Sequence, residues 1–418
     1  MTQKIASKKT ESTRNRLAAE DAQKAGLLGR LSRGERLFYI IALVVLGVTA
    51  VPLVMRLAYG LTSTTDVNNL VPWGLWVVFY IYFVGISAGS FLISALSYGL
   101  DVKAVEPVRR IGLLVSILGV AIGGVFIGLD IGRWDRILNT FLYFHWTSAL
   151  SWEVRFFLVY IVLDVIMLVT DIRLARNLTK TPQKSRNLLK ILAMVNTAVT
   201  LLGVLGTEAM IFSTNETRPM WYGSFLPVKF TVSALVAGAA TLLFLHLLHS
   251  KINGRARHAE TQSFLSRALM WGLAADALML FFEFFVPVMS AEQDEMAVLK
   301  WMTTGPTWWT FWIVELLLGI VVAFALLAKG GSDKPRFSLW GAVFALVGLV
   351  AVRYNIVVPP QIRPLLDGYN AGSFEPTIHE WLITIFLFTA FALIYYSAVL
   401  LFPAINSSEK DLSPALSK

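Results

Sequence analysis

"SWEVRFFLVYIVLDVIMLVTD", residues 151–171, is apolar enough to cross a membrane yet carries Glu153, Arg155, Asp164 and Asp171. If a helix starts near Ser151, then Glu153, Phe157, Tyr160, Asp164 and Asp171 fall on one face, because eleven residues make nearly three turns and eighteen make five. Eighteen residues rise about 27 Å, close to the thickness of the hydrocarbon layer. One face of this helix therefore bears carboxylates from one membrane boundary to the other. Asp164 lies deepest, where a charge costs about 2.5–3.5 kcal/mol on insertion scales. Such groups turn toward a bundle interior and serve ions, protons or a ligand.

The rest of the chain supplies that bundle. With 418 residues, 56% hydrophobic and 15% charged, and a mean hydropathy of +0.64, it is an all-α polytopic membrane protein rather than a soluble one. Long apolar runs, not short alternating ones, exclude a barrel. Spans are expected near 37–58, 72–98, 110–129, 152–171, 189–213, 226–249, 268–290, 308–328, 338–358 and 379–402, about ten helices.

Basic residues mark every second loop: the tail from Lys4 to Arg36; Lys103, Arg109 and Arg110; Arg173 to Arg186; Lys251, Arg255 and Arg257; Lys329, Lys334 and Arg336. The intervening loops hold only Arg133, Arg136, Arg218, Lys300 and Arg363. Lys and Arg near span ends stay on the cytoplasmic side, so both termini are expected inside, in a prokaryotic cytoplasmic membrane. The net charge of +9 then faces anionic lipid, and nothing calls for nucleic acid. The tail before Leu37 lacks the apolar stretch and cleavage site of a removable signal. The chain has no cysteine, so any iron–sulfur cluster belongs to a partner.

Two helices begin alike: "NNLVPWGLWVVFYIYFVGISAGSFL" (68–92) and "RPMWYGSFLPVKFTVSALVAGAATLL" (218–243) each lead with Pro and Trp and continue into small residues that allow close backbone approach. This suggests a parallel repeat of helices two to five and six to nine, flanked by helices one and ten. The expected organisation is a basic tail (1–36), a first helix with its outer loop (37–71), two four-helix bundles (72–213 and 214–358), a loop with the last helix (359–403) and a short tail (404–418). Other intramembrane polar groups are Glu208, Asp276, Glu283, Glu315, Arg353 and Asn355. Arg353 either neutralises carboxylates statically or joins Asp164, Asp276 and Glu283 in a proton path. Arg56, at the outer end of helix one, reads as snorkelling to water.

The ordered set "LDIGRW", "YFHWTSALSWEV", "RPMWYGSFLP", "FWIVELLLG", "RYNIVVPP" and "PTIHEWL" resembles the long, ten-helix branch of the NrfD/PsrC family. Within it, the chain is similar to HybB-type hydrogenase subunits and to quinol subunits of alternative complex III. The resemblance runs from about Arg56 to Phe402. It implies a chain without haem or iron–sulfur cluster that passes electrons between membrane quinone, menaquinone or ubiquinone, and an iron–sulfur partner serving a catalytic subunit. It implies quinone binding near the outer face, inside the first bundle. By position in the family's motifs, His145, Glu153, Arg353 and Glu380 match functional residues, Glu208 stands where relatives have a histidine segment, and Tyr80 is the main polar group at the start of the first bundle helix. Quinol oxidation releases two protons, which an imidazole and a buried carboxylate can receive. His145 is thus expected to bond a quinone oxygen, Glu153 to accept a proton, and Tyr80, Trp146 and Trp152 to line the ring. Other readings stay open: a haem b anchor cytochrome, a secondary transporter, or an anchor without quinone chemistry.

Overall fold

In the computed structural model, residues 32–253, 258–330, 334–364, 370–402 and 405 are described. The basic tail up to residue 31 and the stretch after 405 lie outside them. Ten long helices make up the described fold: α1 (Arg33–Tyr59), α2 (Leu75–Leu100), α3 (Arg109–Asp130), α4 (Ala149–Ala175), α5 (Pro182–Ser213), α6 (Leu226–Asn253), α7 (Ala259–Ser290), α8 (Thr310–Gly330), α9 (Pro335–Val357) and α10 (Ile378–Leu401). Among the described residues, nine of these are long and apolar enough to cross a membrane. The tenth is α4, whose 27 residues fall within the 21–32 of the others, its charged stripe being what sets it apart.

Local chemistry sets the helix ends. Ser32 and Glu35 form a capping box that starts α1, and Thr377 and Glu380 form another that starts α10. The Ser148 hydroxyl accepts from the Ser151 amide at the start of α4. Pro182 and Pro335 occupy first-turn positions, where a missing N–H is harmless. Two helices outrun their apolar stretches. α5 begins at Pro182 and α7 at Ala259, several residues before the expected 189 and 268, because their first turns are polar and stand beyond the hydrocarbon. Wide π turns run through Val199–Leu205 of α5 and Thr310–Val322 of α8.

The helix that organises the packing is α2. It is apolar all round and buried almost all round, as a helix with no polar face must be. It packs against α3, α5, α6 and α9; α3 meets α4, and α4 meets α5, closing a ring of four. A second ring runs through α6, α7, α8 and α9. The rings join along α2 and α6, where small residues let backbones touch. A methyl group added to Gly89 would fall on the Ala234 carbonyl, and one added to Gly238 would fall on the carbonyl of Gly89.

Outside the rings, α1 and α10 lie side by side. Glu35 accepts from the Tyr396 hydroxyl at 2.7 Å and Tyr39 pairs with Ser397 at 3.0 Å. The start of α1 and the end of α10 therefore share one membrane face, here called the Arg109 face; the opposite one is the His145 face.

The snorkelling expected of Arg56 is overturned. The side chain is 1% exposed and turns inward, donating to the Leu129 carbonyl at 2.9 and 2.6 Å and to Ile131 at 3.0 Å. The last carbonyls of α3 have no helical partners of their own, and a guanidinium satisfies them at no cost in exposed charge.

Candidate functional site

Three rungs tie α4 to α2, with partners 73 residues apart each time. Tyr80 donates to Glu153, Ser87 pairs with Tyr160 at 3.2 Å, and Tyr98 donates to Asp171 at 2.8 Å. A constant offset means that the two helices run parallel and in register across the first ring. The expected acidic face of α4 is thus the face that looks inward: Glu153, Tyr160, Asp164 and Asp171 are all buried.

The rungs differ in chemistry. At the Arg109 face, Asp171 is clamped by Arg109 (2.9 and 3.1 Å) and Arg110 (2.7 Å) in addition to Tyr98. That is a satisfied ion cluster. In mid-membrane, Asp164 meets only neutral groups. It accepts from Ser116 and from Asn196 (2.8 Å), and Ser116 also pairs with Tyr160 at 2.6 Å.

Toward the His145 face the balance changes. Glu153 has the Tyr80 phenol as its hydrogen-bond partner. Glu208, on α5 within Coulombic range of Glu153 and Arg353, is fully buried and neither of its carboxyl oxygens has a hydrogen-bond partner. Arg353 reaches in from α9. Its Nη2 donates to Ser233 at 2.8 Å, its guanidinium lies 4.8 Å over the Phe230 ring, and its Nη1 has no partner. Gly85 makes room for it: a methyl group there would come within 2.9 Å of Nη2. Buried polar groups without partners are rare in folded proteins and mark places where a proton, a water or a ligand completes the bonding.

The second ring holds its own cluster. Lys229 pairs with Glu283 at 2.5 Å, and Asn355 bridges Glu315 (2.5 Å) and Thr310 (2.6 Å). Asp276 lies within Coulombic range of both Lys229 and Arg353, which places Arg353 between the two rings. Glu380 has a different setting. Its carboxylate accepts from the backbone of Thr377 (2.9 Å) and Asp66 (3.4 Å), holding the first turn of α10 in place.

The residues expected around the ring separate into two places. Tyr80, Glu153, Glu208 and Arg353 are brought together inside. His145 and Trp146 sit on the surface, and Trp146 and the half-buried Trp152 form an aromatic group with Phe144 and Phe156 at centroid distances of 5.0–5.8 Å. Trp146 is 74% exposed, and His145 is exposed, its Nδ1 3.0 Å from the Thr147 hydroxyl. Trp152 and Glu153 are neighbours in sequence, but about 100° apart on α4, so Glu153 is buried and Trp152 only half so. Sequence reasoning missed Lys229, Asn196, Ser116 and the Arg109–Arg110 clamp, and misplaced Arg56. A lysine inside the apolar run "LPVKFTVS" was the one available signal.

Residues 63–364 match the family described as "Polysulphide reductase, NrfD". The chain is a member of the NrfD family. It is similar to a selenate reductase subunit of Mesobacillus selenatarsenatis, 28% identical over 90% of this chain and 96% of that one. It is similar also to the Hdr-like menaquinol oxidoreductase integral membrane subunit of Archaeoglobus fulgidus (24% identical; 88% and 94% covered). A third relative is the menaquinone reductase integral membrane subunit of Nitratidesulfovibrio vulgaris (20%; 78% and 81%). The stretch matching the NrfD family holds both four-helix rings and leaves out α1 and α10, the two helices that lie together beside them.

Proposed function

We propose that this NrfD-family chain is the quinone-reactive membrane subunit of a respiratory oxidoreductase complex. It would pass electrons between membrane quinone and an iron–sulfur subunit that serves a separate catalytic subunit. The observation that carries the reading is the buried Tyr80–Glu153 hydrogen bond beside a Glu208 carboxyl with no partner. Relatives named for menaquinol and menaquinone chemistry support it and favour a menaquinone.

The chemistry follows from what the reaction must separate. Oxidising a quinol yields one quinone, two electrons and two protons; reduction runs the same balance backward. The chain has no cysteine, so the cluster that handles the electrons resides in the partner, and this chain handles protons and position. When Glu153 takes up a proton it no longer needs the single Tyr80 O–H, which then turns to a ring oxygen, and Glu153 and Glu208 exchange protons with the ring. Arg353, within Coulombic range of Glu208, stabilises that carboxyl when it is ionised. The exposed His145 and Trp146, with the half-buried Trp152, form the entrance, where a ring arriving from lipid meets water and the partner. Asp164, Asp276 and Glu283 would extend proton exchange away from the site, while Glu380 keeps the loop before α2 in place. By the charge rule the Arg109 face is cytoplasmic in a prokaryotic inner membrane.

The direct test is quinol-driven electron transfer by the intact purified complex carrying Glu153→Gln. Assembly should be normal and turnover should fall by at least about a hundredfold. Unchanged turnover would remove this pair from the site.

A further inference from the structure

The second ring repeats the first at one telling position. Gly89 of α2 and Gly238 of α6 touch where the two helices cross. Tyr80 stands nine residues toward the His145 face from the first of these glycines, and Lys229 stands nine residues toward the same face from the second. The same rise along each helix puts both donors at one depth. Each donates to a carboxylate on another helix of its own ring, Tyr80 to Glu153 and Lys229 to Glu283.

Lys229 lies at an open cavity. A pocket of about 310 Å³ runs between α6, α7 and the short helix Gln293–Thr304, with Lys229 and Glu283 in its lining and Trp221, Phe225, Phe282 and Val286 among its walls. Phe225 and Phe282 are each 46% exposed and Val286 53%, so the mouth opens on the side of the protein that faces lipid. Apolar walls around a few convergent polar groups, at this volume, are the usual make-up of a small-ligand site.

We propose that this pocket is a second binding site, for the ring of a neutral quinone-class molecule, separate from the one at Tyr80. The charge decides the ligand class. One ammonium faces the carboxylates of Glu283 and Glu295, so an anionic lipid headgroup is repelled. A neutral carbonyl oxygen accepts one of the two ammonium N–H groups that Glu283 leaves unused. The volume holds a ring and not a whole isoprenoid chain, which runs out past Phe282 and Val286 into lipid. Binding alone is assigned; no electron transfer at this site is implied.

The test is photolabelling of the intact complex in nanodiscs with an azido-naphthoquinone, followed by peptide mapping. Label is expected in peptides containing residues 220–229 and 282–299, displaced by excess unlabelled menaquinone. Val286→Trp, a change at the exposed mouth, should abolish it there and leave labelling near Tyr80 intact. The double variant Lys229→Met/Glu283→Gln, which removes both members of the ion pair together, should weaken displacement by about tenfold or more. Label confined to the Tyr80 region overturns this site and spares the main reading; label confined to the Lys229 region does the reverse. Label displaced by added phospholipid rather than by menaquinone, or unaffected by Val286→Trp, also overturns it.

Discussion

Tyr98 donates a hydrogen bond to Asp171 at 2.8 Å, and at the opposite end of the same two helices Tyr80 donates to Glu153. The pairs share geometry and differ in company. Asp171 is flanked by two guanidinium groups, whereas Glu153 has a phenol and, within Coulombic range, another acid. The first is a satisfied ion cluster; the second is the pair that the proposed function assigns to proton transfer.

Asp171→Asn is therefore expected to damage the fold. It leaves Arg109 and Arg110 without their shared carboxylate, and breaking a buried ion pair by removing one partner costs about 3–5 kcal/mol. Thermal unfolding of the purified protein should show a clear drop in Tm, with turnover of the surviving complex near normal.

Glu153→Gln and Tyr80→Phe should do the opposite, sparing stability and lowering turnover. Removing a proton-transfer group costs about 10²-fold or more. Loss of the phenol hydrogen bond alone costs about tenfold. Steady-state quinol oxidation set against melting curves separates this outcome from a folding defect.

His145→Ala tests the separation of entrance from interior. Because His145 is exposed and apart from Glu153, its loss should raise the quinone KM by about fivefold, the worth of one hydrogen bond, and leave kcat nearly unchanged. A collapse of kcat would place the imidazole at the reacting ring.

Asp164→Asn and Asp276→Asn address the proton path. Each keeps the shape of the side chain, so assembly should persist. In reconstituted vesicles, the protons moved per electron pair should fall in both variants. If the ratio holds, these carboxyl groups are static members of their networks.

Gly238→Val should prevent the two rings from joining, because backbone rather than a movable side chain occupies the space the new atoms need. Overpacking of this kind costs about 1–3 kcal/mol even where neighbours can shift, and here they cannot. Loss of folded protein after mild detergent extraction would be the readout.

Much of this fold is written in the spacing of apolar residues. The runs near 37–58, 226–249 and 379–402 reappear as α1, α6 and α10, and the 11- and 18-residue spacings on α4 do place Glu153, Asp164 and Asp171 on one buried face. What pattern alone did not reveal is which group each charge meets. Arg56 sits at a helix end, where snorkelling and inward capping look the same in sequence; only the position of α3 decides between them. Lys229 finds Glu283 across 54 residues, and no local period encodes that meeting. His145 and Glu153 lie eight residues apart in sequence, yet a loop-to-helix turn sends one to the surface and the other inside. The polar first turns of α5 and α7 escaped notice because hydropathy ends where the lipid does, while the backbone hydrogen bonds continue.

The contact of Gly89 with Gly238 acts as a weld. At that point main chain already lies against main chain, so the two halves cannot be pressed closer together there. Arg353 is the charged group that both halves share, within Coulombic range of Glu208 in one and Asp276 in the other.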